Sequence, residues 1–201
     1  VQAAAREVRE PGRALSAGTC CLVAEVEGFP LHFHNVFFAE DYPDEFAAIF
    51  GRRSICEHPT GYLCAQDRRT GAAPEGPERL LLLINAPADG DRVERSADTL
   101  EELRTRALRL LSACGCHLRF EANHCVTTDP AAFHQRFPGS GGALYGRANH
   151  GPMASFARPG ARSGVPGLYL AGGSVHPGAG VPMSAMSGRL AAAAVIEDSG
   201  A

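Results

Sequence analysis

Residues Gly167 to Gly188 read GLYLAGGSVHPGAGVPMSAMSG, and the fold turns on how this stretch is read. The apolar run Leu168-Tyr169-Leu170-Ala171 predicts a short strand that stops on Gly172-Gly173. Bare backbone at a strand end lets another group lie directly against it. Gly178 and Gly180 then flank a sharp reversal, and Pro182 pre-sets the first turn of a helix, where its missing N–H costs nothing. That helix is predicted to run from Pro182 to about Asp198. Its first turns are built from small residues, Ser184, Ala185, Ser187 and Gly188. The N–H groups at its start form a partial positive charge suited to an anionic or carbonyl-bearing ligand. Two readings remain open at this level. One is a tight strand–helix connection; the other is a cofactor lying across the strand end and the helix start.

Upstream, Thr19–Val26 predicts a strand, and Gly28-Phe29-Pro30 turns into a second, LHFHNVFFA, from Leu31 to Ala39. Asp41 to Phe50 predicts a short helix ended by Gly51. One or two strands are expected between Arg53 and Asp67, and an interior strand over Leu80–Asn85. The longest helix is expected to be capped by Asp98, with Glu101 completing a capping box. Leu100, Leu103, Ala107, Leu110 and Leu111 give it one apolar face, and Gly115 ends it. His117–Val126 predicts a returning strand, and Thr128-Asp129-Pro130 a further helix running to Pro138. Strands and helices alternate without strict order, which predicts an α+β / α/β chain.

With 201 residues and a formal charge of −3, the chain offers no electrostatic footprint for nucleic acid. Its 19 basic residues are all arginine. No uninterrupted apolar segment is long enough to span a bilayer. Seven cysteines without regular spacing favour reduced thiols and a cytoplasmic setting. Cys114, Cys116, His117, His124 and Cys125 crowd together, but CxC is a poor metal-ligand spacing, and no metal site is assigned. His32 and His34 alternate along one strand and are read as solvent-facing.

The terminal segment LYLAGGSVHPGAGVPMSAMSGRLAA resembles the C-terminal signature of the phytoene desaturase family of FAD-dependent carotenoid oxidoreductases. FHNVFFAEDYPDEF from Phe33, LLLLINAPADGD from Leu80, GSGGALYGRANHG from Gly139 and SFARPGAR from Ser155 resemble it as well. GGALYGRA and AGGSVHPGAGVPM point further, toward the 1-hydroxycarotenoid 3,4-desaturases, also called methoxyneurosporene desaturases. Pro152 departs from the subgroup, where a bulky aromatic is expected.

The resemblance implies a mixed-sheet substrate lobe over residues 1–150. It implies that 151–201 return to a Rossmann-like FAD-binding domain as its last strand, turn and helix. Gly172, Gly173 and Ser174 would line the phosphate and ribityl side of FAD, with His176 in the same turn, its ring holding that turn. Gly180 would also bind the cofactor, and Val181, Pro182 and Met183 would lie nearest the isoalloxazine, where backbone N–H groups from Met183 onward meet charge that appears on reduction. The implied reaction is 3,4-desaturation of a 1-hydroxylated acyclic carotenoid by hydride transfer to flavin, with a separate electron acceptor. A long polyene needs an apolar tunnel, to which Phe33, Phe37 and Phe38 could contribute. Peripheral contact with the inner membrane follows from a lipid-soluble substrate. No residue is identified as the catalytic base.

No Gly-x-Gly-x-x-Gly unit is present, and position 1 is Val rather than Met. Both lead to the expectation of a C-terminal portion of a longer enzyme, inactive when isolated. Two alternatives stay beside this reading. One is a related flavin oxidoreductase acting on amines or another isoprenoid, although amine oxidases end this strand in Gly-Glu rather than Gly172-Gly173. The other is a non-catalytic apolar-ligand-binding or truncated module.

Overall fold

A computed structural model describes residues 12–93, 96–148 and 158–200. Pro152 and the first three residues of the SFARPGAR segment, Ser155 to Ala157, lie outside the described residues. The chain divides into two compact units: Leu15–Gly142, and Val1–Ala14 together with Ala143–Ala201.

Leu15–Gly142 is built on β1 (Ser16–Glu27), whose twelve residues pair on both sides. On one side lies β4 (Glu78–Ala86), which pairs with β3 (Gly61–Ala65), which pairs with β2 (His34–Phe37). On the other side β1 meets β5 (His117–Arg119) at Glu25–Glu27 and β6 (Cys125–Thr128) at Thr19–Leu22. Every neighbouring pair among these strands is antiparallel, which corrects the expected mixed sheet. The reason is topological. The helical crossover after β4 delivers β5 beyond β1, so the two strands that share a direction never become neighbours.

Alternation along β4 explains why the sheet has a core. Glu78, Leu80, Leu82, Ile84 and Ala86 are buried, while the residues between them are more open. Over that face lies α2 (Ala97–Ala113), inserting Leu103, Ala107 and Leu111. A Cβ at Gly18 would sit 2.5 Å from Leu103, so the missing side chain lets helix and sheet close together. Glu78 is buried with Arg68, whose Nε donates to its carboxylate at 2.9 Å and whose Nη1 donates to Leu31 O.

Several expected boundaries move. Ser96, not Asp98, caps α2 by accepting from Thr99 N, two residues earlier than the capping-box pattern indicates. The helix after Asp41 is α1 (Tyr42–Phe46), which widens into a π-helical turn over Ala47–Arg52. That extra width carries the helix past Gly51 to Arg53, which takes the left-handed cap at φ 55°. His117–Val126 is not one strand, because a 3₁₀ turn at Ala122–His124 breaks it into β5 and β6. By contrast, α3 (Pro130–Arg136) starts where Asp129 and Pro130 predict, with Asp129 accepting from Ala132 N.

In the second unit, residues 12–14 run beside 146–148, joined by Ala14 N to Gly146 O and Ala148 N to Gly12 O. Its dominant element is α4 (Val181–Ser199). The expected strand Leu168–Ala171 is reduced to a single antiparallel bridge, Tyr169 with Arg162. A strand needs a neighbouring ladder, and here the apolar run has only the short segment Ala161–Ser163 to bond with.

Candidate functional site

The turn between Tyr169 and α4 is held by anchors that surround its glycines and leave them bare. Gly172 N donates to Ser187 Oγ at 2.7 Å, and Ser187 Oγ in turn donates to Ser184 O at 2.8 Å. Ser187 is fully buried and staples the strand end to the second turn of the helix. At the other end of α4, Asp198 accepts from Tyr169 Oη at 2.7 Å and from Arg162 Nε at 3.1 Å. Arg162, then Tyr169, hold the Asp198 carboxyl below its ordinary range, and Asp198 raises both partners in return. Arg162 and Asp198 are exposed, so their pairing adds little to stability.

Gly172 has φ 123° and Gly180 φ 103°, a region that favours glycine, and a Cβ on either would meet nothing within 4 Å. Open space therefore lies on the side-chain side of both residues. Gly180 is also the N-cap of α4, and no side chain caps that helix; Ser184 N donates back to Gly180 O at 2.8 Å. The start of α4 thus faces outward with its dipole uncovered by any capping oxygen. Val181 is 85% exposed, the highest value among the exposed large apolar residues. Pro182 and Met183 are exposed beside it.

The remaining expected site residues differ in their setting. Gly173 is more confined, since a Cβ there would come within 3.3 Å of Ser184 Oγ. Ser174 lies against Gly146, its Oγ 2.4 Å from where a Cβ of that glycine would stand. His176 is half-buried, and its backbone N–H donates to Pro159 O at 2.9 Å. The structure therefore gathers Gly172, Gly173, Ser174, His176, Gly180, Val181, Pro182 and Met183 around one reversal of the chain. It does not gather the three aromatic candidates. Phe37 is in the core against Phe29, Phe38 is 63% exposed against Tyr42, and strand alternation sends the two to opposite faces.

Sequence reading took Ser187 only as a small residue and missed both its anchoring role and Arg158. Ser187 left a faint signal, a hydroxyl on the helix face where only small residues occur. Arg158 stands in a glycine- and proline-rich loop, where nothing in the local pattern marks a buried guanidinium. Elsewhere, two surface grooves of about 350 and 200 Å³ flank α2; their linings include Glu57, Glu102, Arg106 and Arg109. Such charged walls are unsuited to an apolar polyene. His34 is exposed and bonded to Tyr62 Oη at 2.7 Å, and all seven cysteines are free. Among the described residues no three metal-ligating side chains come together.

The chain's sequence, taken over most of its length, falls in a recognised class. The model for flavin-containing amine oxidoreductases matches residues 34–196, and the chain is a member of that family. Within it, the chain is similar to the hydroxyneurosporene desaturase of Rubrivivax gelatinosus, 52% identical over 181 residues, covering 90% of this chain and 34% of that protein. The hydroxyneurosporene desaturase of Cereibacter sphaeroides is 42% identical over 98% of this chain and 39% of its own length. A 1-hydroxycarotenoid 3,4-desaturase from a Flavobacterium species is 31% identical over 83% and 34%. The chain spans between 34% and 39% of the length of these relatives.

Proposed function

We propose that this chain is the C-terminal portion of an FAD-dependent carotenoid desaturase that introduces a C–C double bond by 3,4-desaturation of a 1-hydroxylated acyclic carotenoid. The observation that carries the reading is the open, uncapped turn from Gly172 to Met183, within a chain of the flavin family. Gly172 and Gly180 would let the cofactor approach bare backbone. The N–H groups of Val181 and Met183 would meet its electron-rich edge with the positive end of the α4 dipole. Residues 168–171 would join a larger Rossmann-like sheet as its last strand, which explains an apolar run that forms only one bridge here. Bound FAD supplies a two-electron acceptor for the hydride leaving a saturated carbon, with a separate acceptor taking the electrons onward.

The sheet unit would belong to the substrate lobe. No helix among the described residues is long and apolar enough to cross a membrane. The lipid solubility of a carotenoid is what would bring the enzyme into peripheral contact with a membrane. The test is reconstitution of the full-length gene product with FAD, followed by feeding hydroxyneurosporene. Retained flavin absorption and a product with a longer conjugated chromophore are expected. Flavin retention with an unaltered substrate would refute the substrate; colourless protein would refute the flavin site. Gly173→Glu is expected to crowd the turn against Ser184 and lower FAD retention, read from the flavin-to-protein absorbance ratio.

A further inference from the structure

Beneath the turn lies an arginine that none of the reasoning so far requires. Arg158 is only 4% exposed. Its Nη1 donates to Gly173 O at 3.0 Å, and its Nη2 donates to Tyr145 O at 3.0 Å and Arg147 O at 3.2 Å. Pro159, the next residue, accepts from His176 N. A Cβ on Gly178 would stand 3.5 Å from Arg158 Nε, so the turn wraps the guanidinium closely from Gly173 to Gly178. One side chain thus ties the 145–147 loop to the turn, through charge-assisted hydrogen bonds in a buried setting where they are strong.

The consequence is one of orientation. In a trans peptide the C=O and the following N–H point in opposite directions. Arg158 draws Gly173 O inward, so the Ser174 N–H is turned toward the exposed side of the loop. Ser187 fixes the other end of the same segment by bonding Gly172 N. The dipeptide Gly172-Gly173 is therefore clamped from two sides, and its outward donor is set before any ligand arrives.

We infer that Arg158 is a positioning residue for the cofactor: it fixes the Gly173–Ser174 peptide in the orientation that presents its N–H to an acceptor oxygen of FAD. The inference rests on the flavin reading proposed above. Its test uses the full-length gene product and three variants, Arg158→Met, Arg158→Lys and Arg162→Met. Arg162 serves as a control because it is exposed and bonds to the far end of α4. Apoprotein is titrated with FAD by fluorescence quenching, the midpoint potential of the bound flavin is measured, and the apo unfolding temperature is recorded.

Arg158→Met is expected to weaken FAD binding by about tenfold or more, the size of losing a charged hydrogen bond. Arg158→Lys should recover part of that loss and shift the potential of the flavin it binds, while Arg162→Met leaves both readings at wild type. Wild-type affinity and potential in both Arg158 variants would overturn the assignment. So would losses in Arg162→Met equal to those in Arg158→Met, or a failure of both Arg158 variants to fold, since the residue would then serve the fold alone. A wild-type protein that binds no FAD would refute the flavin reading itself, a result recorded before any variant is made.

Discussion

The two units of the chain hide opposite kinds of side chain. In Leu15–Gly142 the fully buried residues include the large apolar ones, Leu63, Leu80, Leu82, Ile84, Leu103 and Leu111. In α4 the buried residues are Ser187, Ala191 and Ala194, while Val181, Met183, Met186, Leu190, Val195 and Ile196 are exposed. A helix that covers its small residues and exposes its large ones does not draw its main stability from the contacts described within its own unit. The sheet unit is written to bury itself. The terminal unit leaves the large apolar side chains of α4 open, and under the proposed function flavin would lie at the start of that helix.

The contrast breaks first at the sheet. Leu82→Ala removes a fully buried side chain between α2 and β4 and should cost about 2–5 kcal/mol, measured by urea unfolding. A cost under about 1 kcal/mol would mean that the sheet core is far looser than its burial indicates. Ser187→Ala should cost less, about 1–3 kcal/mol, because it strips a partner from the partly buried Gly172 N–H. Its effect should also appear as faster hydrogen exchange at Gly172, and unchanged exchange would argue against the staple.

A third effect depends on pH and belongs to the sheet. Burial pushes the Cys20 thiol from its ordinary 9.0 to about 12, a rise that the hydrogen bond with Thr127 only partly offsets. The folded chain keeps that proton when the unfolded chain has lost it. The contribution is fully present below pH 9.0 and is lost as pH rises toward about 12. Urea midpoints should therefore fall across that window, and Cys20→Ala should flatten the fall; an unchanged slope would dissociate it from this thiol. The smallest effect should come from α4. Leu190→Gln, on the exposed side of the helix, should change the stability of this chain by no more than about 0.5 kcal/mol. A larger loss would place Leu190 in a contact that the described residues do not contain.

Legibility in the sequence followed the same divide. Leu80–Asn85 and the Leu103–Ala107–Leu111 stripe announced their burial because an uninterrupted apolar run and a 3.6-residue period are local signals that the core then enforces. Asp129-Pro130 announced α3 because capping is settled within one turn. Where two local rules competed, the sequence was ambiguous. Ser96 and Asp98 both stand where a cap could form, and the π-helical widening that moves a helix end from Gly51 to Arg53 leaves no compositional trace. The turn at Gly172–Gly180 was legible as bare backbone, and the family resemblance supplied a reason for it. Its supports were not legible. Arg158 acts on carbonyls 11, 13 and 15 residues away through a buried guanidinium, and no spacing rule connects a loop arginine to a glycine turn.

Direct labelling of the cofactor's position decides between a turn shaped for packing and one shaped for flavin. The full-length gene product, reconstituted with an azido-substituted FAD and illuminated, should carry its covalent adduct on a peptide containing residues 172–183, with unmodified FAD competing the label away. Adducts confined to other segments, with the 172–183 peptide recovered unmodified, would contradict a flavin lying against this turn.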